Sequence, residues 1–508
     1  MSVFSLLERG TRQNPAGTFL ISDQGEVNYD EALVLARGVA LGLRTRGFGR
    51  GDHAAILSPN DPTAFLASFG VMGAGLSYVP ANPREVPSAL ARSLDRLDVC
   101  VLFYHSTLAT TVEVMKPALR KVRLYVSLDG DSNGDVPLST LVADGSGTPP
   151  PPPMLTDIAF IGQTGGTTGD PKGVLLSHRA VIAYVEKYLA EFPDPSPVML
   201  AAMPLTHAAG MLAMPVVARG GTIVLMAQPH LPRFLDLIAQ HRVTTTFLPP
   251  TVIYRLLDMP DVTARDYSSL RNFFYGAAPA TVSRIKQALA VFGPVMTQGY
   301  GQSECHTLVT VLRPEDHFMD GQVADDMRLS ACGRPTIGTS ITIKDDDGHV
   351  LAQGGIGEIC VHSDLMMSGY YRDEAATAEV IRDGFVHTGD VGFVDADGFL
   401  HIVDRKKDLI ITGGFNVYPA EVEQVIAGHP AISDCAVVGA PDSDWGEALT
   451  AVVELKRDVS LTEAELIAFC RPLLGGVKTP KHVEFWPELP RSAAGKVLRK
   501  EVRARLRE

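Results

Sequence analysis

The segment Thr164-Gly-Gly-Thr-Thr-Gly-Asp-Pro-Lys-Gly173 follows the apolar run Ile158 to Ile161 and has the composition of a phosphate cradle. Glycines bring backbone N–H groups close to phosphate oxygens, threonines add hydroxyls, and Lys172 adds charge. It is not a Walker A loop, because Pro171 precedes the lysine and Gly173 follows it. A surface turn of the same composition is the competing reading. Four further groups of residues carry chemistry. Tyr300-Gly-Gln-Ser-Glu304 offers an aromatic face, a hydroxyl and a carboxylate at the end of an expected strand, where open α/β sheets bind ligands. Thr388-Gly-Asp390 presents a carboxylate suited to vicinal ribose hydroxyls; a hairpin-capping role is the alternative. Asp404-Arg-Lys-Lys-Asp408, followed by Thr412-Gly-Gly414, sets a charge run beside a glycine turn, and Arg405 could instead pair with Asp404 or Asp408. Pro490-Arg-Ser-Ala-Ala-Gly-Lys496 mounts a lysine on a loop of small residues; in isolation such a lysine is a solvated surface group.

These residues need elements to position them. Short β-branched runs at Ala54 to Leu57, Ile158 to Ile161, Thr222 to Met226, Thr244 to Leu248, Asn272 to Tyr275 and Val295 to Gln298 are expected strands. An apolar turn is expected at Tyr78 to Pro80. Helical patterns at Pro62 to Ala74, Leu231 to His241 and Thr281 to Phe292 separate several of the strands, which argues for parallel βαβ sheets. From about Thr336 the texture changes. Asp345-Asp-Asp-Gly348 and Asp395-Ala-Asp-Gly398 sit between alternating runs, as hairpin turns do. After Arg405 a compact α/β pattern follows, with a helix from Pro419 to Ala427, strands at Cys435 to Val438 and Leu449 to Leu455, and a helix opened by a capping box at Ser460-x-x-Glu463. The fold expected is therefore α/β: a large domain of parallel sheets with an antiparallel barrel-like piece, and a small mobile α+β domain. The expected limits are 1–403 for the large domain (sheets in about 1–148 and 154–335, barrel-like piece in 336–403), 404–408 for a hinge and 409–508 for the small domain. The Gly145-Ser-Gly-Thr148 and Pro149 to Pro153 run reads as a stiff spacer between the sheets or a ligand for a proline-binding module.

Composition narrows the function. The 508 residues carry 45 Lys and Arg against 58 Asp and Glu, a formal charge of −13, with 45% hydrophobic residues. A chain so acidic is a poor general binder of nucleic acid, whereas one nucleotide needs only a local cationic patch. The six cysteines lie apart with no C-x-x-C pair, which argues against a zinc framework or disulfide scaffold and for reduced thiols in a cytoplasmic enzyme. No signal-peptide pattern is seen at the N-terminus. Pro197 to Ala218 has no charged residue, but Pro204, His207, Gly210 and Pro215 interrupt it. A strand, a turn and a short buried helix are expected there rather than a membrane span.

Taken in order, the five motifs resemble the adenylate-forming superfamily: acyl-CoA synthetases, amino-acid adenylation domains and beetle luciferases. The resemblance covers essentially the whole chain. It implies that Thr164, Gly165, Gly166, Thr167, Thr168, Gly169 and Lys172 hold ATP phosphates, and that Gly276, Ala277, Ala278 and Pro279 line adenine and the acyl pocket. It implies that Tyr300 with Gly301 packs on adenine, Ser303 contacts the α-phosphate, Glu304 helps hold Mg²⁺, Asp390 binds ribose and Arg405 reaches ribose or phosphate. Lys407 falls at the family's hinge, and Lys496 bridges the substrate carboxylate and the α-phosphate. His207 matches a gate position at the acyl pocket, to which Met211, Gly276 and Gly299 also belong. Gly413 and Gly414 line a pantetheine tunnel, and Trp445 either stacks on the CoA adenine or is a packing residue. Two positions depart from the family: Gly166 stands where Ser is usual, and Ser303 where Thr is usual. Both weaken the expected grip on phosphate.

Within the superfamily, Met203 to Gly210 contains no acid to pair with a substrate ammonium, which argues against an amino-acid substrate. Met203, Met211, Met214 and small neighbours suggest a roomy apolar pocket. The expectation is an ATP-, Mg²⁺- and CoA-dependent ligase for a hydrophobic monocarboxylic acid: fatty, aryl or polycyclic. Its partners would be small molecules, with no nucleic acid, no integral membrane segment and a homodimer left open. A luciferase-like acyl-adenylate monooxygenase and a nucleotide-binding protein of reduced catalysis are the alternatives.

Overall fold

Runs that are buried at every position and almost wholly apolar, such as His53–Leu57 and Val99–Tyr104, need cover on both faces, and helices supply it. The computed structural model describes residues 2–130, 134–145, 151–163, 172–205, 208–442, 445–456, 458–491 and 497–506. Among them, eight strands form one sheet in the order Gly369–Tyr370, Gly173–Ser177, Ile158–Gln163, Ser77–Ala81, His53–Leu57, Val99–Tyr104, Leu124–Ser127, Val136–Pro137. Tyr78 to Pro80 is thus a central strand, not a turn. A second sheet of nine strands runs Arg334–Pro335, Thr310–Leu312, Met296–Tyr300, Asn272–Gly276, Thr245–Phe247, Val198–Ala201, Thr222–Leu225, Thr18–Ser22, Gly25–Asn28. Most central pairs in both are parallel.

The two sheets exchange chain segments. Thr18–Ser22 lies parallel to Thr222–Leu225, and Ile158–Gln163 joins the sheet built from residues 53–137. The break expected near 148–154 therefore does not separate one sheet from the other. The helices between the sheets share one core that draws Phe19 and Leu20 from the second sheet and Ile56 and Phe103 from the first. Pro62–Gly73 is one of these helices. Asp61 caps it by accepting from Ala64 N–H, Pro62 opens it, and eleven of its twelve residues are buried. The uncharged stretch after Pro197 folds as the strand Val198–Ala201 and the helix Ala208–Ala218. Among the described residues no helix is long and apolar enough to cross a membrane.

A third, antiparallel sheet contains Thr339–Lys344, Gly357–Ser363, Ile381–Arg382, Phe385–Val394 and Leu400–Arg405. Asp395 turns the last hairpin by accepting N–H groups from Asp397 and Phe399. The tail from Ile410 has its own five-stranded sheet and its own core of Ile410, Val437, Leu449 and Leu466. Two long strands dominate it, Ile432–Asp442 and Gly446–Leu455. The helix Glu463–Lys478 is capped by Thr462 and Glu465, not by Ser460 and Glu463. Both pairs have the capping-box spacing, and the chain uses the second, leaving Glu463 free to accept from Val483 N–H. The fold is α/β with a separate C-terminal domain.

Candidate active site

Parallel strands deliver their C-terminal ends to one edge of a sheet, and that edge opens onto a cleft of about 2580 Å³ between the large domain and the tail. Asn272–Gly276 and Met296–Tyr300 are neighbours there, with Gly276 opposite Gly299. A Cβ on Gly276 would stand 2.5 Å from the Gly299 carbonyl oxygen, so no side chain fits between these strands. The next residue, Ala277, holds a left-handed φ of 63°, a conformation that costs an L-residue about 1 kcal/mol or more. Ala277, Ala278, Pro279, Gly299, Tyr300, Gly301, Ser303 and Glu304 all line the cleft.

The polar groups are tied to one another. Asp390, 2% exposed, lies opposite Arg405 across the pair Phe385–Val394 and Leu400–Arg405. Its Oδ1 meets Arg405 Nε at 2.6 Å, and its Oδ2 accepts from Tyr300 Oη at 2.8 Å and from Gln302 Nε2 at 2.6 Å. Burial and the Asp390 charge hold the Tyr300 phenol protonated, far above its ordinary range. Arg405 thus pairs with Asp390 rather than with Asp404 or Asp408. Glu304 Oε1 accepts from Tyr370 Oη at 2.8 Å, and Lys172 Nζ stands 4.8 Å from the centre of the Tyr370 ring. A carboxylate with one oxygen engaged by a phenol suits Mg²⁺, which is usually held by one or two carboxylates plus substrate phosphates. Among the described residues, the three-ligand cluster of acids and histidine is Asp345, Asp347 and His349, on a hairpin turn outside the cleft lining.

Met211, Arg405 and Lys407 also line the cleft. Burial lowers the Lys407 ammonium pKa. From the tail come Arg491 and Val497, which form an antiparallel bridge, and Arg499. Gly413, Gly414 and Trp445 are grouped but stand apart from this lining. Gly413 N–H donates to the Trp445 carbonyl at 2.8 Å, and a Cβ at Gly413 would sit 2.9 Å from the indole. The predicted residues Thr164, Gly165, Gly166, Thr167, Thr168 and Gly169, together with His207 and Lys496, lie outside the described residues. Sequence reasoning assigned no role to Gln302, Tyr370 or Arg499. Gln302 sits inside the quoted Tyr300 to Glu304 motif, so its place was legible though its partner was not. For Tyr370 and Arg499 no local pattern points to the site.

Comparison with known proteins decides the family. The AMP-binding enzyme family matches residues 7–371, and the AMP-binding enzyme C-terminal domain matches residues 421–496. The chain belongs to the AMP-binding enzymes. It is 37% identical to a medium/long-chain-fatty-acid–CoA ligase of Mycobacterium tuberculosis over 94% of this chain and 83% of that one. It is 36% identical to a feruloyl-CoA synthase of an Amycolatopsis species over 98% and 97%. Among solved structures, the amide bond synthetase McbA from Marinactinospora thermotolerans superposes with a TM-score of 0.89 at 32% identity, covering 99% of each chain. This AMP-binding enzyme is accordingly an AMP-forming ligase, and ATP is its nucleotide.

Proposed function

We propose that this AMP-binding enzyme is a carboxylic acid–CoA ligase that works in two half-reactions. In the first, the acid's carboxylate oxygen attacks the α-phosphorus of ATP; the bond to the bridging oxygen breaks, and pyrophosphate leaves with the electron pair. In the second, the CoA thiol loses its proton and attacks the acyl-adenylate carbonyl, and AMP leaves. The observation that carries this reading is the convergence on one cleft of Tyr300, Asp390 and Arg405 from the large domain with Arg491 and Val497 from the tail.

In this account Asp390, fixed by three donors, accepts from ribose hydroxyls with its remaining lone pairs. Tyr300 and the Gly276 to Pro279 backbone pack against adenine, and Ser303 meets the α-phosphate. Glu304 would hold Mg²⁺ beside the phosphates, and the metal would neutralise charge on the departing pyrophosphate. Residues 164–169 with Lys172 hold the β- and γ-phosphates. The attack brings two anions together, so positive charge at the developing centre supplies most of the acceleration, and Lys496 is the group assigned to it. The acid's apolar body fits beside Met203, Met211, Met214 and Gly299, which line the cleft, with His207 as gate. The second half-reaction requires the tail to turn about Lys407 and to present Gly413, Gly414 and Trp445 to the incoming thiol.

A panel of fatty, aryl and polycyclic acids, each incubated with ATP, Mg²⁺ and CoA, tests the reading. It predicts acid-dependent AMP release and an acyl-CoA product for at least one hydrophobic acid. AMP release without CoA but with an amine would favour amide synthesis, the reaction named for McbA. Oxygen uptake with the adenylate would favour a monooxygenase, and no acid-dependent turnover of ATP across the panel would contradict all three.

A further inference from the structure

Asp404 belongs to the large domain's antiparallel sheet, in the strand Leu400–Arg405, yet its carboxylate is held chiefly by the tail. Its Oδ1 lies 3.0 Å from Arg499 Nη1 and 2.7 Å from Arg405 N–H, and its Oδ2 accepts from Ala420 N–H at 2.6 Å. The carboxylate is 3% exposed. Arg499 in turn reaches Asp408 Oδ2 at 3.2 Å through Nη1. It grips Glu423 with Nε at 2.9 Å and Nη2 at 2.5 Å. One guanidinium therefore spans both ends of the 404–408 segment and the tail helix Pro419–Ala427.

Arg499 also stands at the base of the lysine loop. Leu498 N–H donates to the Pro490 carbonyl at 2.8 Å, and Arg491 bridges Val497. The Arg499–Arg505 helix starts directly after Leu498. Pinning Arg499 fixes the point from which the chain bearing Lys496 emerges.

We infer that Asp404 and Arg499 form a cross-domain clasp that positions the Lys496 loop for adenylate formation and must open for the thiol step. The inference rests on the two-step reading above. A turn about Lys407 would carry Arg499, Glu423 and Asp408 together and leave Asp404 behind. The Glu423 contacts, made within the tail, would survive that turn, whereas the Arg499 and Ala420 contacts to Asp404 would be broken by it. Contacts made in only one of two states shift the balance toward it, and a hydrogen bond to a charged group is worth roughly ten-fold or more in an equilibrium. Both residues line the cleft, and the role inferred for them is positioning: they act through the loop they hold.

The test measures the two half-reactions separately on the full chain. Asp404→Asn should lower acid-dependent pyrophosphate exchange roughly ten-fold or more. Acyl-CoA formation from supplied acyl-adenylate should stay unchanged or rise. Asp404→Glu should recover part of the exchange. Arg499→Lys keeps the charge and loses the planar fork; it should split the halves in the same direction, and it serves as second readout if Asp404→Asn does not accumulate folded. Both halves falling together, the thiol half falling alone, or no change in either would overturn the clasp. Absence of acid-dependent exchange in the unmodified enzyme would instead overturn the two-step reading on which the clasp depends.

Discussion

Two carboxylates on one pair of strands have opposite loyalties. Asp390 takes its three donors, Tyr300, Gln302 and Arg405, from the large domain, whereas Asp404, on the strand opposite, takes two of its three, Arg499 and Ala420, from the tail. Side chains alternate across a strand, so Arg405 faces Asp390 while Asp404, one residue earlier, faces away. Asp390, the group proposed to face the nucleotide, is held by donors of the large domain alone. Asp404 would keep only the Arg405 N–H donor if the tail turned away. A single strand end thus separates binding from orientation.

Asp390→Ala should have the largest effect in testing that contrast. It strips Arg405, Tyr300 and Gln302 of a common acceptor, and hydrogen bonds to a charged group are worth about 1.5–3 kcal/mol. Adenylate formation and thiol transfer should both fall roughly 100-fold, since AMP occupies the site in both and a tenfold change corresponds to about 1.4 kcal/mol. A split between the halves at Asp390 like that expected at Asp404 would erase the distinction.

Next in size is a pH effect confined to the large domain. Burial depresses His178 to about 4 and His306 to about 3, so the folded protein keeps both rings neutral. The unfolded chain binds those protons near pH 6.5. The stability from these sites is fully present above pH 6.5 and drains as pH falls toward 4, by a few kcal/mol. Urea midpoints at pH 7 and 4.5 would check this, and His178→Gln should flatten the dependence. A tail that unfolds first at low pH while the large domain is unmoved would contradict it.

Trp445→Ala should show the smallest change. The indole is 39% exposed, backed by Gly413 and with Lys481 Nζ 4.7 Å above its ring. If it stacks on the CoA adenine, KM for CoA should rise roughly five-fold, because stacking a base on an aromatic ring is worth about 1–3 kcal/mol. Adenylate formation should be unchanged. An unaltered KM would assign the indole to packing.

Much of the fold was legible because strands buried on both faces leave uninterrupted apolar runs, as at Phe273 to Tyr275. Sheet membership was not, since Thr18–Ser22 finds its parallel partner some two hundred residues away, at Thr222–Leu225. The capping box shows a local limit: two overlapping Ser/Thr-x-x-Glu patterns, at 460 and 462, have the same spacing, and the first Glu, Glu463, is taken by Val483 N–H twenty residues on. At the site, Tyr300, Asp390 and Arg405 stood out by motif. Their contacts, and those of Glu304 with Tyr370 and Asp404 with Arg499, join residues 15 to 95 positions apart, and no window along the chain displays them.

In the proposed reaction a cation from the tail completes a nucleotide site built by the large domain. The most direct measurement is the pair of half-reactions in Lys496→Ala. Acid-dependent pyrophosphate exchange should fall roughly 100- to 1,000-fold, in line with removal of one group that stabilises transition-state charge, while acyl-CoA should still form from supplied acyl-adenylate. Exchange that survives, or a folded variant in which both halves fall alike, would contradict it.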